Sequence, residues 1–81
     1  MAKTFHLTIA RVGENHFDGE AVSLSLPGEE GVFVVLANHE AFVTPLKAGE
    51  AMVESVDGSK QTFAIEKGIA EISNNQATVL L

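Results

Sequence analysis

Apolar side chains recur at every second position along most of this chain. In "TFHLTIARV", Phe5, Leu7 and Ile9 fall on one side and His6, Thr8 and Ala10 on the other. "EAVSLSL" sets Val22, Leu24 and Leu26 against Ser23 and Ser25, "QTFAIE" groups Phe63 with Ile65, and "QATVLL" groups Ala77, Val79 and Leu81. Successive side chains of a strand project to opposite faces, so this alternation predicts half-buried strands. No stretch carries a helical stripe. Turn chemistry separates the runs. Asp57-Gly58 predicts a hairpin with a primed turn, whose centre needs positive φ, and Asn74-Asn75 predicts a second hairpin. Asp18-Gly19, Pro27-Gly28 and Lys67-Gly68 mark further corners. Corners roughly every eight to twelve residues are the rhythm of a sandwich or barrel. The pattern therefore reads as all-β: a flattened two-sheet β-sandwich of about eight to ten short strands, one domain over residues 1–81.

One segment breaks the alternation. In "GVFVVLANHEAFVTPLKAG", Val32 to Leu36 are apolar without interruption, and Ala41 to Val43 follow just past His39. A continuous apolar strand is buried on both faces. In a thin two-sheet domain one face of a strand ordinarily meets water. Either this strand is central and covered, or its outer face is covered by something else, because large exposed apolar patches mark interaction sites.

Composition narrows the choice of partner. The 81 residues, 46% hydrophobic, contain eleven acids and five bases, for a net charge of −6, and no cysteine. A chain of this length buries only about 60–65% of its unfolded surface, so its core is thin and added stability has to come from sheet hydrogen bonding or a partner. The acidic balance argues against nucleic acid and against anionic lipid. Arg11, Glu14, Asp18 and Glu20 interrupt the first twenty residues, leaving no signal-peptide core. No apolar run approaches the roughly 18 residues needed to cross a bilayer. The expectation is a soluble, intracellular protein with no direct membrane insertion.

Candidate chemistry is sparse. His39 and Glu40 are adjacent, so on a strand they face opposite ways and do not form a dyad. His6, His16 and His39 lack any local metal-ligand spacing, and no cofactor is expected. Gly28 and Gly31 flank Glu29-Glu30, which would repel phosphate; this acidic turn suits a positive or amide-rich partner. Small all-β domains also include lipoyl- or biotinyl-type carriers with a lysine at a hairpin tip, but neither Lys60 nor Lys47 has the flanking residues such a site uses. A carrier, or another small β-sandwich binding module, is the alternative reading.

With these features assembled, the chain resembles the amino-terminal β-sandwich domain of the epsilon subunit of F-type ATP synthase, nearly end to end. "FHLTIARVGENHFDGEAVSLSLPGEEG" resembles the family's opening of strand, loop ending in Phe-x-Gly (Phe17, Asp18, Gly19) and long second strand. "NHEAFVTPLKAG" keeps His39, Thr44, Leu46, Lys47 and Gly49 of its signature, and "FAIEKGIAEISNNQATVLL" keeps Phe63, Gly68, Ile69, Glu71 and Val79. The chain departs where the family has Pro-Gly at Ala37-Asn38, a second proline at Ala41 and glycines at Val34 and Lys67. Asn38 can take the left-handed conformation a glycine would supply. The family's C-terminal helical hairpin has no counterpart before Leu81. The resemblance implies a non-catalytic rotor part on the cytoplasmic face of the inner membrane, peripheral to it within the ATP synthase complex. It would dock on the gamma subunit and the c-ring, coupling proton-driven rotation to ATP synthesis without the inhibitory helices. By position, Arg11, His39, Glu40, Phe42 and Thr44 would face gamma. Glu29, Glu30, Gly31 and Val32 would face the c-ring.

Overall fold

The computed structural model describes residues 3–81, all in strands and connecting turns. Nine strands form in chain order: β1 (Phe5–Arg11), β2 (Glu14–Ala21), β3 (Ser23–Gly28), β4 (Gly31–Leu36), β5 (Phe42–Leu46), β6 (Gly49–Glu54), β7 (Lys60–Ile65), β8 (Gly68–Ser73) and β9 (Gln76–Leu80). Hydrogen bonding links them as β2-β1-β9-β8-β5-β3-β6-β7, with β4 on the other side of β3. The five-strand part and the four-strand part meet at one residue pair, Gly28 with Leu46. They close on a common core of Phe5, Leu7, Ile9, Leu24, Leu26, Val35, Val53, Ile72 and Val79, among others. This is the all-β sandwich that the period of two predicts. The first and last strands run parallel, His6 to Ala10 against Gln76 to Leu80, while every other ladder is antiparallel.

Most inward positions match the alternation. Phe5, Leu7 and Ile9 are buried, as are Ala77 and Val79, and Leu81 packs against the same core. Val22 does not join Leu24 and Leu26. The chain bends there as it leaves β2 for β3, the Val22 N–H donates to the Glu54 carbonyl at 2.8 Å, and the inward set changes from Ala21 to Leu24. A strand that changes layer rotates its side chains, so a run that reads as continuous alternation shifts by one.

The turns divide in the same way. Asn74 and Asn75 both take positive φ, 51° and 58°, and form the two-residue hairpin between β8 and β9. Asp57-Gly58 is also a hairpin connection, but a wider one than a primed turn. Only Gly58 has positive φ, its N–H donates to the Ser55 carbonyl, and the Ser55 N–H donates to the Ser59 carbonyl. That is a turn followed by a left-handed glycine, the longer hairpin solution. Asp18-Gly19 is no corner. It lies within β2, where Gly19 faces Leu7 in the ladder with β1, and the chain instead reverses at Val12-Gly13.

Candidate interaction surface

β4 is the element on which the apolar exception falls, and it lies at a margin of the sheet. Opposite β3, Val35 and Phe33 face Leu24 and Leu26 across the inner face, while Val32, Val34 and Leu36 stand opposite Pro27, Ser25 and Ser23 on the outer one. Val35 is buried, whereas Val32 is 73%, Val34 53% and Leu36 54% exposed. Of the two explanations left open by the sequence, the central covered strand is thus excluded, and the outer face is bare among the described residues. Met52 of β6, opposite Ser25 on its other side, extends the apolar surface and is 44% exposed.

The β4–β5 connection is anchored to the β8–β9 turn. Asn38 takes φ 63°, the left-handed conformation, and its N–H donates to the Asn75 Oδ1 at 2.7 Å. The Asn75 side-chain amide donates in turn to the Thr4 carbonyl at 2.9 Å. Asn75 therefore ties three segments distant in sequence, a role invisible in a residue that reads only as a turn former. His39 directs Nδ1 at the Glu40 carbonyl, 2.8 Å away, and an acceptor there means that Nδ1 carries a proton and donates it. The histidine engages the backbone of Glu40 and not its carboxylate. Its ring stacks on Phe42 at 5.8 Å between centroids, and Phe42 meets Phe33 of β4 at 5.1 Å. Three rings thus close the gap between β4 and β5, the two facing margins.

Beside them lies a cleft of about 290 Å³ lined by Glu30, Gly31, Val32, Phe33, Phe42 and Thr44, with Gly28 at its base. A Cβ on Gly28 would come within 2.9 Å of the Gly31 carbonyl and 3.0 Å of the Phe33 ring, so the cleft requires glycine there. Residues assigned from sequence to two partners, Phe42 and Thr44 on one hand and Glu30, Gly31 and Val32 on the other, line this single hollow. Glu29 and Glu30 are exposed in the β3–β4 turn, and Glu40 is exposed beyond the other end of β4. Arg11 is not brought into this group. It is exposed at the end of β1, three strand spacings or about 14 Å across the sheet from β5.

A second, more apolar hollow of about 500 Å³ went unread in the sequence. It is lined by Pro45, Ile69, Leu80 and Leu81, with Glu29 and Lys67 at its rim. Ile69 and Leu80 are cross-strand partners, a pairing that no local pattern announces. The remaining histidines are engaged elsewhere. His6 lies 2.8 Å from Asp18 and 3.2 Å from Glu20, and His16 lies 3.9 Å from Glu14. The hydrogen bonds to Glu20 and Asp18 raise the pKa of His6 above its ordinary 6.5. Lys60 begins β7 opposite Glu54, set back from the loop tip at Asp57-Gly58. No helix among the described residues is long and apolar enough to cross a membrane.

Residues 4–81 match the family described as ATP synthase, Delta/Epsilon chain, beta-sandwich domain. The chain belongs to this family. It is 42% identical over 65 residues to the ATP synthase epsilon chain of Sulfurimonas denitrificans, covering 80% of this chain and 50% of that one. The epsilon chain of Delftia acidovorans is 35% identical over 77 residues, 95% of this chain and 56% of its own length. That of Chlorobium limicola is 35% identical over 78 residues, 96% of this chain and 89% of its own length. The chain thus spans about half the length of the first two of these relatives. Among solved structures, a chain of Euglena gracilis mitochondrial ATP synthase, determined with its c-ring, superposes with a TM-score of 0.88 at 27% identity, over 99% of this chain and 51% of that one. A chain from the central stalk and c-ring structure of Tetrahymena thermophila mitochondrial ATP synthase shares the fold, with a TM-score of 0.75 at 16% identity. The family match does not favour the carrier alternative.

Proposed function

We propose that this domain is a non-catalytic docking part of the central stalk of an F-type ATP synthase. In that role it grips the gamma subunit, rests on the polar loops of the c-ring, and helps transmit proton-driven rotation to ATP synthesis. It works peripherally, on the cytoplasmic face of the inner membrane. The observation that carries this reading is the bare outer face of β4 beside an acidic turn: Val32, Val34 and Leu36 exposed in a row, with Glu29 and Glu30 at one end. Exposed apolar side chains in a row call for a covering surface, and carboxylates at the end favour encounter with a basic one. Family membership and the epsilon-chain relatives point the same way.

Within this reading the contact residues divide by position. His39, Glu40, Phe42 and Thr44 serve the gamma side, with Arg11 as a separate outlying contact, and Glu29, Glu30, Gly31 and Val32 serve the c-ring side. Residues of both sets line one cleft, which supports a reading in which the two contacts adjoin and one rigid body bridges gamma and the ring. Co-purification with gamma from the same organism tests the role. A complex stable at micromolar concentration is expected, and its absence overturns the reading. Glu29→Gln together with Glu30→Gln should then weaken attachment to purified c-ring while leaving the gamma complex intact.

A further inference from the structure

Four strands of the sandwich have an unpaired side, and three of them are guarded. β2 carries Glu14, Asp18 and Glu20, and its pairing with β1 is irregular between Ile9 and Ala10. β7 opens on Lys60, and β5 contains Pro45. Charges, prolines and irregularities of this kind stop a foreign strand from pairing with an edge. β4, "GVFVVL", has no charge and no proline, and its register against β3 is unbroken from Gly31 to Leu36.

The backbone of β4 is also aimed outward. Pro27 has no N–H, and its carbonyl accepts from the Lys47 N–H at 2.9 Å on the side away from β4, so the Pro27–Val32 pair exchanges no hydrogen bonds. Antiparallel pairs alternate. Phe33 and Val35 therefore bond to Leu26 and Leu24, while the N–H groups of Val32, Val34 and Leu36 point to the open side. Among the described residues no strand lies there. The Leu36 carbonyl is already taken by the His39 N–H at 3.2 Å, which ends the free row at the β4–β5 loop.

We propose that β4 receives an extended strand of the gamma subunit, which joins the sheet as its next member. The proposal rests on the docking reading above and specifies its mode. The incoming strand alternates. One set of side chains continues the outer apolar face beyond Val32, Val34 and Leu36, and the other set enters the cleft over Phe33 and Phe42. Glu40 stands exposed after β4, on the side given to gamma, so the matching strand is apolar in its middle and carries lysine or arginine at the end that meets Glu40. Main-chain bonds supply attachment, and the cleft and Glu40 supply choice of sequence.

Amide hydrogen exchange on the full chain, alone and with gamma from the same organism, tests this. In the free chain the amides of Val32, Val34 and Leu36 should exchange quickly and those of Phe33 and Val35 slowly. Adding gamma should slow Val32 and Val34 by about a hundredfold or more. A complex that forms without protecting those two amides overturns strand addition and leaves docking intact; no complex overturns both. Val34→Pro removes an outward N–H while sparing the bonds to β3, and should weaken gamma binding at least about tenfold. Val34→Thr keeps that N–H and should retain clearly more gamma binding than Val34→Pro. Equal binding by folded Val34→Pro overturns the proposal, and if that variant does not fold, exchange in the unsubstituted chain decides.

Discussion

Along β2 the outward positions hold Asp18 and Glu20, which reach His6 at 2.8 and 3.2 Å, while along β4 they hold Val32, Val34 and Leu36, all more than half exposed. Both strands are sheet margins with six to eight residues and an inner face packed on the same core. Their outer faces differ because one is completed by its own chain and the other is not. Polar groups at a margin find partners locally or in water. Apolar groups there gain free energy from a covering surface, which is why the proposed docking falls on β4.

The sharpest test of that contrast uses two adjacent residues of β4. Val35→Asp would bury a carboxylate against Leu24 and should cost roughly 3–5 kcal/mol, enough to unfold a marginal domain. Val34→Asp, pointing outward, should change the urea midpoint by no more than about 0.5 kcal/mol and yet abolish gamma binding. If the two variants unfold alike, the faces of β4 are not distinct. Next in size is the ring closure over the margin. Phe42→Ala should destabilise by about 2 kcal/mol in chemical denaturation, since Phe42 is half-buried, and a double substitution with Phe33→Ala should show coupling of about 1 kcal/mol. Additive losses would mean that the rings do not act as a pair.

A smaller effect belongs to the Asn75 tie. Asn75→Gly keeps the left-handed backbone and removes both side-chain hydrogen bonds, so it should cost about 1 kcal/mol and loosen the Asn38 amide in hydrogen exchange. An unprotected Asn38 amide in the unchanged chain would refute the tie. The smallest effect lies at the guarded margin. The folded-state pKa of His6 is raised, so its contribution to stability is fully present below the ordinary 6.5 and is lost as pH rises through the higher folded value. His6→Gln should therefore lower Tm most at about pH 5 and converge on the unchanged chain near about pH 9, and a difference that grows with pH contradicts the pairing. No comparable pH dependence is expected from any residue of β4, which carries no titratable side chain.

The sequence revealed features set by near neighbours. Alternation placed Phe5, Leu7 and Ile9 inward because strand geometry alone dictates it, and Asn74-Asn75 announced its turn because asparagine tolerates positive φ. The apolar run at Val32 to Leu36 was legible as an anomaly for the same reason. That β4 is a margin was not, since this follows from β6 and β5 taking the other side of β3, residues far along the chain. Long-range packing also hid the change of face at Val22, the continuation of β2 through Asp18-Gly19, the bridging role of Asn75 and the hollow around Ile69 and Leu80. Resemblance grouped Arg11 with His39, yet the sheet sets them on strands and loops well apart.

The parallel ladder between β1 and β9 has a consequence for how the domain comes into being. His6 through Ala10 wait for Gln76 through Leu80, so β1 gains its inner neighbour only when β9 is available. Closing a loop that spans nearly the whole domain is entropically costly and slow. Until β9 has been made, Phe5, Leu7 and Ile9 are half-sheltered by β2 alone, so this side of the sandwich closes in one step rather than strand by strand.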